Sequence, residues 1–579
     1  MLIDLMNCIF HIMFPISAIS CSELSALDRV VHPAMATLAI HNHETPLDLV
    51  ARNLKSDRAS QRCGALRDIG RMGHRISRRD MDQTVVPMLG DSDSAVQEHA
   101  LLALSQMGEK SQAFAQMVAA KLEQSRAKQV KRAAMLALGS MGPAAVTHAG
   151  SVQALLRERD LDLVVDACTA LGKMQATQAA DEVAATLTSP DTDVVFAACM
   201  SLSEMDSHQQ EIGNLLKHSN ARIKSAAVNA LKGMSGSERY SSDVVSLLGD
   251  KDSYVRLGAA DFTCRLGAKA ADMVVPIGKF LSDSDPGVVA AAAAALGGIG
   301  EAAASQIPAL EQALRNPGED SSTLPLTVAG ISPKLASLLR KPACAAANAL
   351  SNMGTAGATS APRLVECLNS KDWEVRVAGL HALSKMASAS ARYEYHVVDL
   401  LRDEIPPVAA AACLAAGEIA ATGAANSSTA RAVAELLEHP HPTVRARAVQ
   451  SLSKMGDEAH AHIETFVSLF GDRAWNVQAE AIRAVAKCGE LGQMFAPDVC
   501  RMTYQGLTPE VQVAACEALA RMGTRGASFR EEVQQLENEQ VEQVVKDAAR
   551  KALGFFERAA SSALTDKVPA LTEEPLEEE

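Results

Sequence analysis

Aromatic residues make up only 3% of the 579-residue chain, with two tryptophans, five tyrosines and twelve phenylalanines. A core without rings has to close on Ala, Leu, Val and Met, and alanine both admits close helix contacts and has the best helix propensity. The twelve cysteines form no CxxC pair and no short framework. That excludes a zinc ribbon, a thioredoxin-type redox motif and a disulfide scaffold. Cys168, Cys199 and Cys516 share one phase of an internal repeat, and Cys63, Cys344 and Cys413 share another. Those are helix positions where a free thiol serves as a small hydrophobe, which favours a reducing compartment. Basic charge is also short: 55 Lys and Arg face 69 Asp and Glu, for a net charge of −14 and a sequence pI near 5.6. A general nucleic-acid binder shows the opposite footprint. There is no P-loop and no nucleophile elbow, and Gly297-Gly298-Ile299-Gly300 closes a helical pattern instead of following a strand.

What is present is one phrase, returning about every thirty-three residues: Val130–Gly142, Val255–Gly267, Val444–Gly456 and Val511–Gly523 are examples. Each has a valine, an Ala-rich helix, a hydrophobic anchor and usually a glycine. The anchors are Met72, Met107, Met141, Met174, Met205, Met234, Leu266, Ile299, Met353, Met386, Thr422, Met455, Cys488, Met522 and Phe556, with Thr422 the weak member. Seven residues before the anchor the chain has Ala in fourteen copies and Gly379 in the other. Aliphatic residues recur three before it, as at Leu104 and Leu519, and Val or Ile eleven before it, as at Val96 and Val477. Positions −11, −7, −3 and 0 form one helical stripe. A second apolar helix lies between each glycine and the next valine, as in Met273–Leu281 and Val433–Leu437. The turns between the two carry Asp, Ser, Asn and Pro, which suit helix starts. A helix pair of this size cannot bury its own apolar face, so the copies must stack.

The D-x-x-V-[RK]-x-x-A-A-x-A-L-G-x-M-G phrases, such as Asp252–Gly267, resemble those of the HEAT-repeat family, including its short bilin-lyase-like form. The resemblance covers about residues 45–557 and implies an all-α, right-handed α-solenoid of about fifteen helix pairs whose second helices line the concave face. It also implies an aspartate six residues before an arginine, as Asp250 precedes Arg256, but many copies lack one of the two, which breaks any continuous charge ladder. Two places depart from the rhythm. Ile299 and Met353 are separated by an excess that falls near Gly318–Lys334, a loop inside the ninth repeat, and the pattern stops after Phe556, leaving an acidic tail over 558–579 that ends in Thr572–Glu579. Residues 1–44 form an apolar segment and a linker or cap.

Chemistry is scarce. Deoxyhypusine hydroxylase, also built from HEAT-like repeats, holds iron through recurring His-Glu pairs. Here only His43 of fifteen histidines is followed by Glu, so the resemblance carries no iron site across. His32 with His41-Asn42-His43-Glu44 reads as a polar linker, and His439, His441, His460 and His462 read as surface turn residues. Catalytic residues, cofactor and metal are each assigned as none. Two surface features remain. The residue before the anchor is basic at Arg71, Lys173, Arg265, Lys385, Lys454, Lys487 and Arg521, a row that stacking would align and that helix dipoles also favour. Trp373 and Trp475, the only tryptophans, both lie thirteen residues before their anchors, at the start of a helix.

The expected function is a non-catalytic protein-binding scaffold or adaptor, taking protein or peptide partners of acidic character through the basic row and the tryptophans. The alternative is a HEAT-like lyase or metal-dependent hydroxylase-type enzyme. No general nucleic-acid binding and no small-molecule substrate are expected. The expected location is cytoplasmic. Met1–Cys21 is apolar but lacks a basic n-region, so a membrane role requires that stretch to act as a signal or anchor.

Overall fold

Residues 46–73, 76–315, 341–424, 427–504, 507–538 and 541–563 are described by a computed structural model, and none of them lies in a strand. The expected N-terminal segment, the Gly318–Lys334 loop and the Thr572–Glu579 tail lie outside the described residues. The chain divides into two compact units, one up to Ser237 and one from Glu238.

In the first unit the repeat helices are α1 (Ala59–Met72), α2 (Ser94–Gln106), α3 (Lys128–Ser140), α4 (Leu161–Lys173), α5 (Thr192–Glu204) and α6 (Ala221–Lys232). In the second they are α7 (Ser253–Leu266), α8 (Pro286–Ile299), α9 (Pro342–Asn352), α10 (Trp373–Lys385), α11 (Pro406–Ile419), α12 (Pro442–Leu452), α13 (Trp475–Lys487), α14 (Pro509–Arg521) and α15 (Gln543–Ala563). Within each unit every one of these packs on the next, and a shorter first helix precedes it. Within each unit the copies stack as an all-α solenoid. Helix starts follow the turn chemistry: Asp93, Asp160, Asp191, Asn220, Asp252, Asp285 and Asp372 each accept a backbone N–H two residues on.

The ends are equally uniform. All ten glycines that follow an expected anchor have positive φ, from +48° at Gly73 to +89° at Gly423. Of the five copies without glycine there, Gln175 and Asp206 take φ of +51° and +49°, while Ser235, Ala387 and Glu557 do not turn left-handed. Ala176 N–H donates to Leu171 O and Gln175 N–H to Gly172 O, a Schellman closure that puts Gln175 in the left-handed conformation.

The eleventh copy needs a correction. Helix α11 runs from Pro406 to Ile419, matching α8 from Pro286 to Ile299 residue for residue, so Ile419 and not Thr422 is its anchor. Ile419 is fully buried, and the three-residue excess is taken up by a π-helical turn over Ala420–Ala424. With the anchor moved, Cys413 joins the phase of Cys168, Cys199 and Cys516, and Ala412 takes position −7, still buried.

Small residues serve two different contacts. A Cβ placed on Gly379, at −7, would meet Cys367 and Leu368 of the preceding first helix. Position −7 therefore faces the helix's own partner. Contact between successive repeat helices occurs instead where −2 of one meets −4 of the next. A Cβ on Gly172 would lie 2.8 Å from Ser201 Cα, on Gly297 2.9 Å from Ala349 Cα, and on Gly417 2.8 Å from Ser451 Cα. The Gly297–Ala349 contact shows that the ninth copy keeps the common register despite its extra residues.

Charged rungs also link copies, but not within a repeat as Asp250 and Arg256 suggested. The cation at −10 pairs with the acid at −16 of the following copy: Arg62–Asp91 at 2.8 Å, Lys131–Glu158 at 3.3 Å, Arg376–Asp403 at 2.9 Å and Arg445–Asp472 at 2.8 Å. Arg256 reaches the next turn at Asp285, 3.5 Å away. The same arginines hold their own turn, Arg256 Nη1 donating to Asp250 O and Arg445 Nη1 to His439 O, both at 2.8 Å. Lys341, only 7% exposed, adds a rung from the start of α9 to Asp372 and Glu374.

Among the described residues one apolar run, Pro286–Ala313, is long enough to cross a membrane by composition, yet 67% of its window is buried. It is also broken at Gly300, whose φ is +75°. It is a stacked core helix and the start of the next pair.

Candidate binding surface

In the repeat helices that carry the row, the buried stripe leaves −1 at least partly exposed, while −9 is outward at Phe196 but buried at Leu257, Ala290 and Ala410. Six of the seven basic residues occupy the last turn of their helices, where the dipole favours a cation. Lys454 is different: α12 stops at Leu452, and Lys454 lies beyond it in an ion pair with Glu418. With Ile419 as anchor, Glu418 is itself a −1 residue, so the row contains two acids, Glu204 and Glu418.

The −1 side chains reach one another along the stack. Lys385 Nζ donates to Asn352 Oδ1 at 2.8 Å, and both residues occupy −1 in successive copies. Lys454 and Glu418 repeat the relation one pair later. Glu204 sits under the charge of Lys173; burial raises its pKa and Lys173 offsets part of that. Around Lys487, partial burial of the ammonium and then the charges of Lys454, Arg521 and Arg483 pull the pKa below the ordinary lysine value, against Glu480. The row is therefore continuous from Lys454 through Lys487 to Arg521, although Lys487 keeps much of its surface in water.

Partners differ along it. Arg71 has Asp68 at 3.6 Å, while Arg265, Lys487 and Arg521 have no ion pair or hydrogen bond among the described residues. The last −1 position is Phe555, 44% exposed, with the Arg558 guanidinium 4.4 Å from its ring centroid. Trp373 and Trp475 are 41% and 49% exposed at the first positions of α10 and α13. Four-residue steps from the tryptophans lead to His381 and Arg483 at −5, which lie about 40° around the helix from the row, whereas the tryptophans lie about 120° from it.

In the first unit Lys173 helps wall a cavity of 560 Å³ between α2, α3 and α4. Leu102 and the 45%-exposed Leu136 supply its apolar floor, and Glu98, Lys128, Arg132 and Asp166 its rim. The rim is largely neutralised from within, with Lys128 paired to Asp160 and Asp162 and Arg132 to Asp166. Leu136, Phe196, Tyr254, Glu418 and Phe555 are surface features that the sequence reading did not single out. Their signal was available as apolar or acidic residues at −9 (Phe196), −5 (Leu136), −12 (Tyr254) and −1 (Glu418, Phe555), phases that the core stripe does not occupy.

Reactive side chains do not gather here. Each of the ten described cysteines has its thiol pKa raised by burial, to about 12 at Cys199, Cys264, Cys344, Cys413 and Cys516. Buried thiols of this kind are poor nucleophiles and poor metal ligands. Among the described residues no group of three or more His, Cys, Asp or Glu is placed to hold a metal. His439 Nδ1 accepts the His441 N–H at 3.0 Å and braces a turn; His460 lies 3.7 Å from Asp457. His32, His41, His43 and Glu44 lie outside the described residues.

Comparison with known proteins agrees with this architecture. A family model for HEAT repeats matches residues 244–321 and 394–486, and a single HEAT-repeat model matches 361–390. Among solved structures, importin beta crystallised in polyethylene glycol superposes with a TM-score of 0.54 at 13% identity, over 95% of this chain and 85% of that one. Importin beta crystallised in ammonium sulfate gives 0.51 at 13% identity, over 89% and 73%. At such identity the likeness is one of fold. No curated protein matches the sequence.

Proposed function

Because the chain belongs to the HEAT-repeat family, we propose that it acts as a non-catalytic protein-binding scaffold or adaptor. The observation that carries this reading is the line of −1 side chains from Lys454 through Lys487 to Arg521, with exposed Trp475 at the opposite end of the Lys487 helix. Packing accounts for the buried stripe, the −2/−4 contacts and the Arg–Asp rungs, and it requires none of these outward residues. Exposed tryptophan and arginine are the side chains enriched where protein interfaces concentrate their energy. A line of cations recruits acidic segments, so protein or peptide partners of acidic character fit it best.

The site residues in this reading are Arg71, Lys173, Arg265, Trp373, Lys385, Lys454, Trp475, Lys487 and Arg521. The stack they decorate spans residues 45–557, and a cytoplasmic location suits its reduced, buried thiols. The test is affinity capture from the native cell with the intact chain, with Trp373→Ala/Trp475→Ala, and with Lys454, Lys487 and Arg521 neutralised. Partners lost from both altered chains support the reading. Identical partners on all three place the functional face elsewhere. Pigment or metal retained through purification would favour the lyase or hydroxylase alternative.

A further inference from the structure

The cationic line ends where the described chain ends. Lys487 closes α13 and Arg521 closes α14, while α15 passes the same level at Phe555 and Phe556 and runs on to Ala563. Nearby acids are already engaged: Glu418 by Lys454, Glu480 and Glu517 by Arg483, and Glu557 by Arg530. Lys487 and Arg521 make no ion pair or hydrogen bond among the described residues, although Glu480 lies near enough to offset part of the lowering at Lys487. Beside them Phe555 offers an exposed ring backed by Arg558.

Residues 572–579 read Thr-Glu-Glu-Pro-Leu-Glu-Glu-Glu, five carboxylates around one Pro-Leu step. Eight residues, 564–571, connect them to the end of α15 and span up to about 27 Å when extended. Stacked helices lie about 8–10 Å apart, so Arg521 and Lys487 are roughly 10 and 20 Å from α15. We propose that residues 572–579 dock in cis on Arg521, Lys487 and Phe555, so that the chain covers the end of its own cationic line. The glutamates answer the two unpaired cations and Pro575-Leu576 answers the ring. Individual exposed ion pairs are weak, and tethering makes the contact effective: a short flexible linker supplies a local concentration on the order of 1 mM. This goes beyond the scaffold reading and shares only the surface with it. No cellular partner is needed to test it, so either can fail alone.

The experiment uses the intact chain, a chain ending at Leu571, and an isotope-labelled synthetic peptide of residues 564–579 followed by NMR at low salt. With a peptide dissociation constant near 0.3 mM, cis occupancy weakens apparent binding to the intact chain about fourfold relative to the shortened one. Lys487→Glu/Arg521→Glu in the shortened chain should abolish binding, and Lys487→Gln/Arg521→Gln should weaken it, which covers any folding defect of the reversal. Equal peptide affinity for the intact and shortened chains overturns the proposal, as does unchanged binding by both double variants. Masking that grows with the concentration of the intact chain assigns the occupant to a second copy and also overturns it.

Discussion

Arg445 grips Asp472 of the following repeat with two parallel bonds, Nε to Oδ2 and Nη2 to Oδ1, both 2.8 Å long. The Asp472 Oδ1 also accepts the Ala474 N–H, so one carboxylate shapes its own turn and joins two copies. Burial alone would raise the Asp472 pKa; the Arg445 bonds outweigh it and hold the carboxyl below the usual range. Asp472→Asn is expected to cost about 2 kcal/mol, the scale of a hydrogen bond to a charged group. The sign with pH follows from the lowered pKa. The advantage of Asp472 is fully present above the ordinary carboxylate pKa of about 4 and fades as pH falls through the lower folded value. Urea melts of both chains at pH 7 and in acid should therefore show a gap that closes. A constant gap would mean that the charge is not the source.

Gln175 occupies a left-handed position that most other copies give to glycine. A non-glycine residue there carries roughly 1 kcal/mol of backbone strain. Gln175→Gly should raise stability by up to about 1 kcal/mol, less the extra chain entropy of glycine. Asp206→Gly should gain less, because the Asp206 carboxylate accepts the Ser235 N–H at 3.0 Å and glycine forfeits that bond. Hydrogen exchange of the amides flanking each turn would rank the two. A larger gain at position 206 contradicts this account.

Two glycine-to-alanine changes should have opposite effects. In α1 a Cβ on Gly64 meets nothing within 4 Å, so Gly64→Ala should stabilise by about 0.5–1 kcal/mol through helix propensity. In α11 the Cβ of Gly417→Ala would press on the Ser451 backbone of α12, and overpacking of that kind costs about 1–3 kcal/mol. Thermal denaturation of both variants separates propensity from packing. Destabilisation by both would show that the Gly64 helix face is more crowded than the structure indicates.

Most anchors were legible because stacking repeats the same physical demand in every copy. Alanine at −7, an aliphatic at −3 and a glycine after the anchor are each visible in one sequence. The direction of contact was less legible. Gly379 shows that −7 faces the paired helix, while the meeting of repeat helices at Gly417 and Ser451 depends on two different phases of two copies. For the same reason the Arg445 partner was not visible in one repeat: the acid lies 27 residues ahead, outside the repeat that contains the arginine. The eleventh anchor slipped to Thr422 because the glycine at 423 preserved the phrase, whereas a π-helical turn had shifted it by three. The basic row was visible as composition. Its acid Glu418 was hidden by that same slip.

Glu418 now becomes a test of the row. It holds Lys454 in an ion pair with both side chains partly exposed, so Glu418→Gln should change stability by no more than about 1 kcal/mol. What it should change is charge. Lys454, Lys487 and Arg521 would then form three consecutive cations without an acid engaged beside the first. In the chain ending at Leu571, the labelled 564–579 peptide should bind about threefold more tightly at low salt, within the range of one added exposed pair. The gain should vanish near 1 M salt, where the screening length falls to about 3 Å. If the peptide binds the Glu418→Gln chain and its unsubstituted counterpart equally at low salt, Lys454 lies off the path of the ligand. The docking surface then narrows to Lys487, Arg521 and the ring of Phe555.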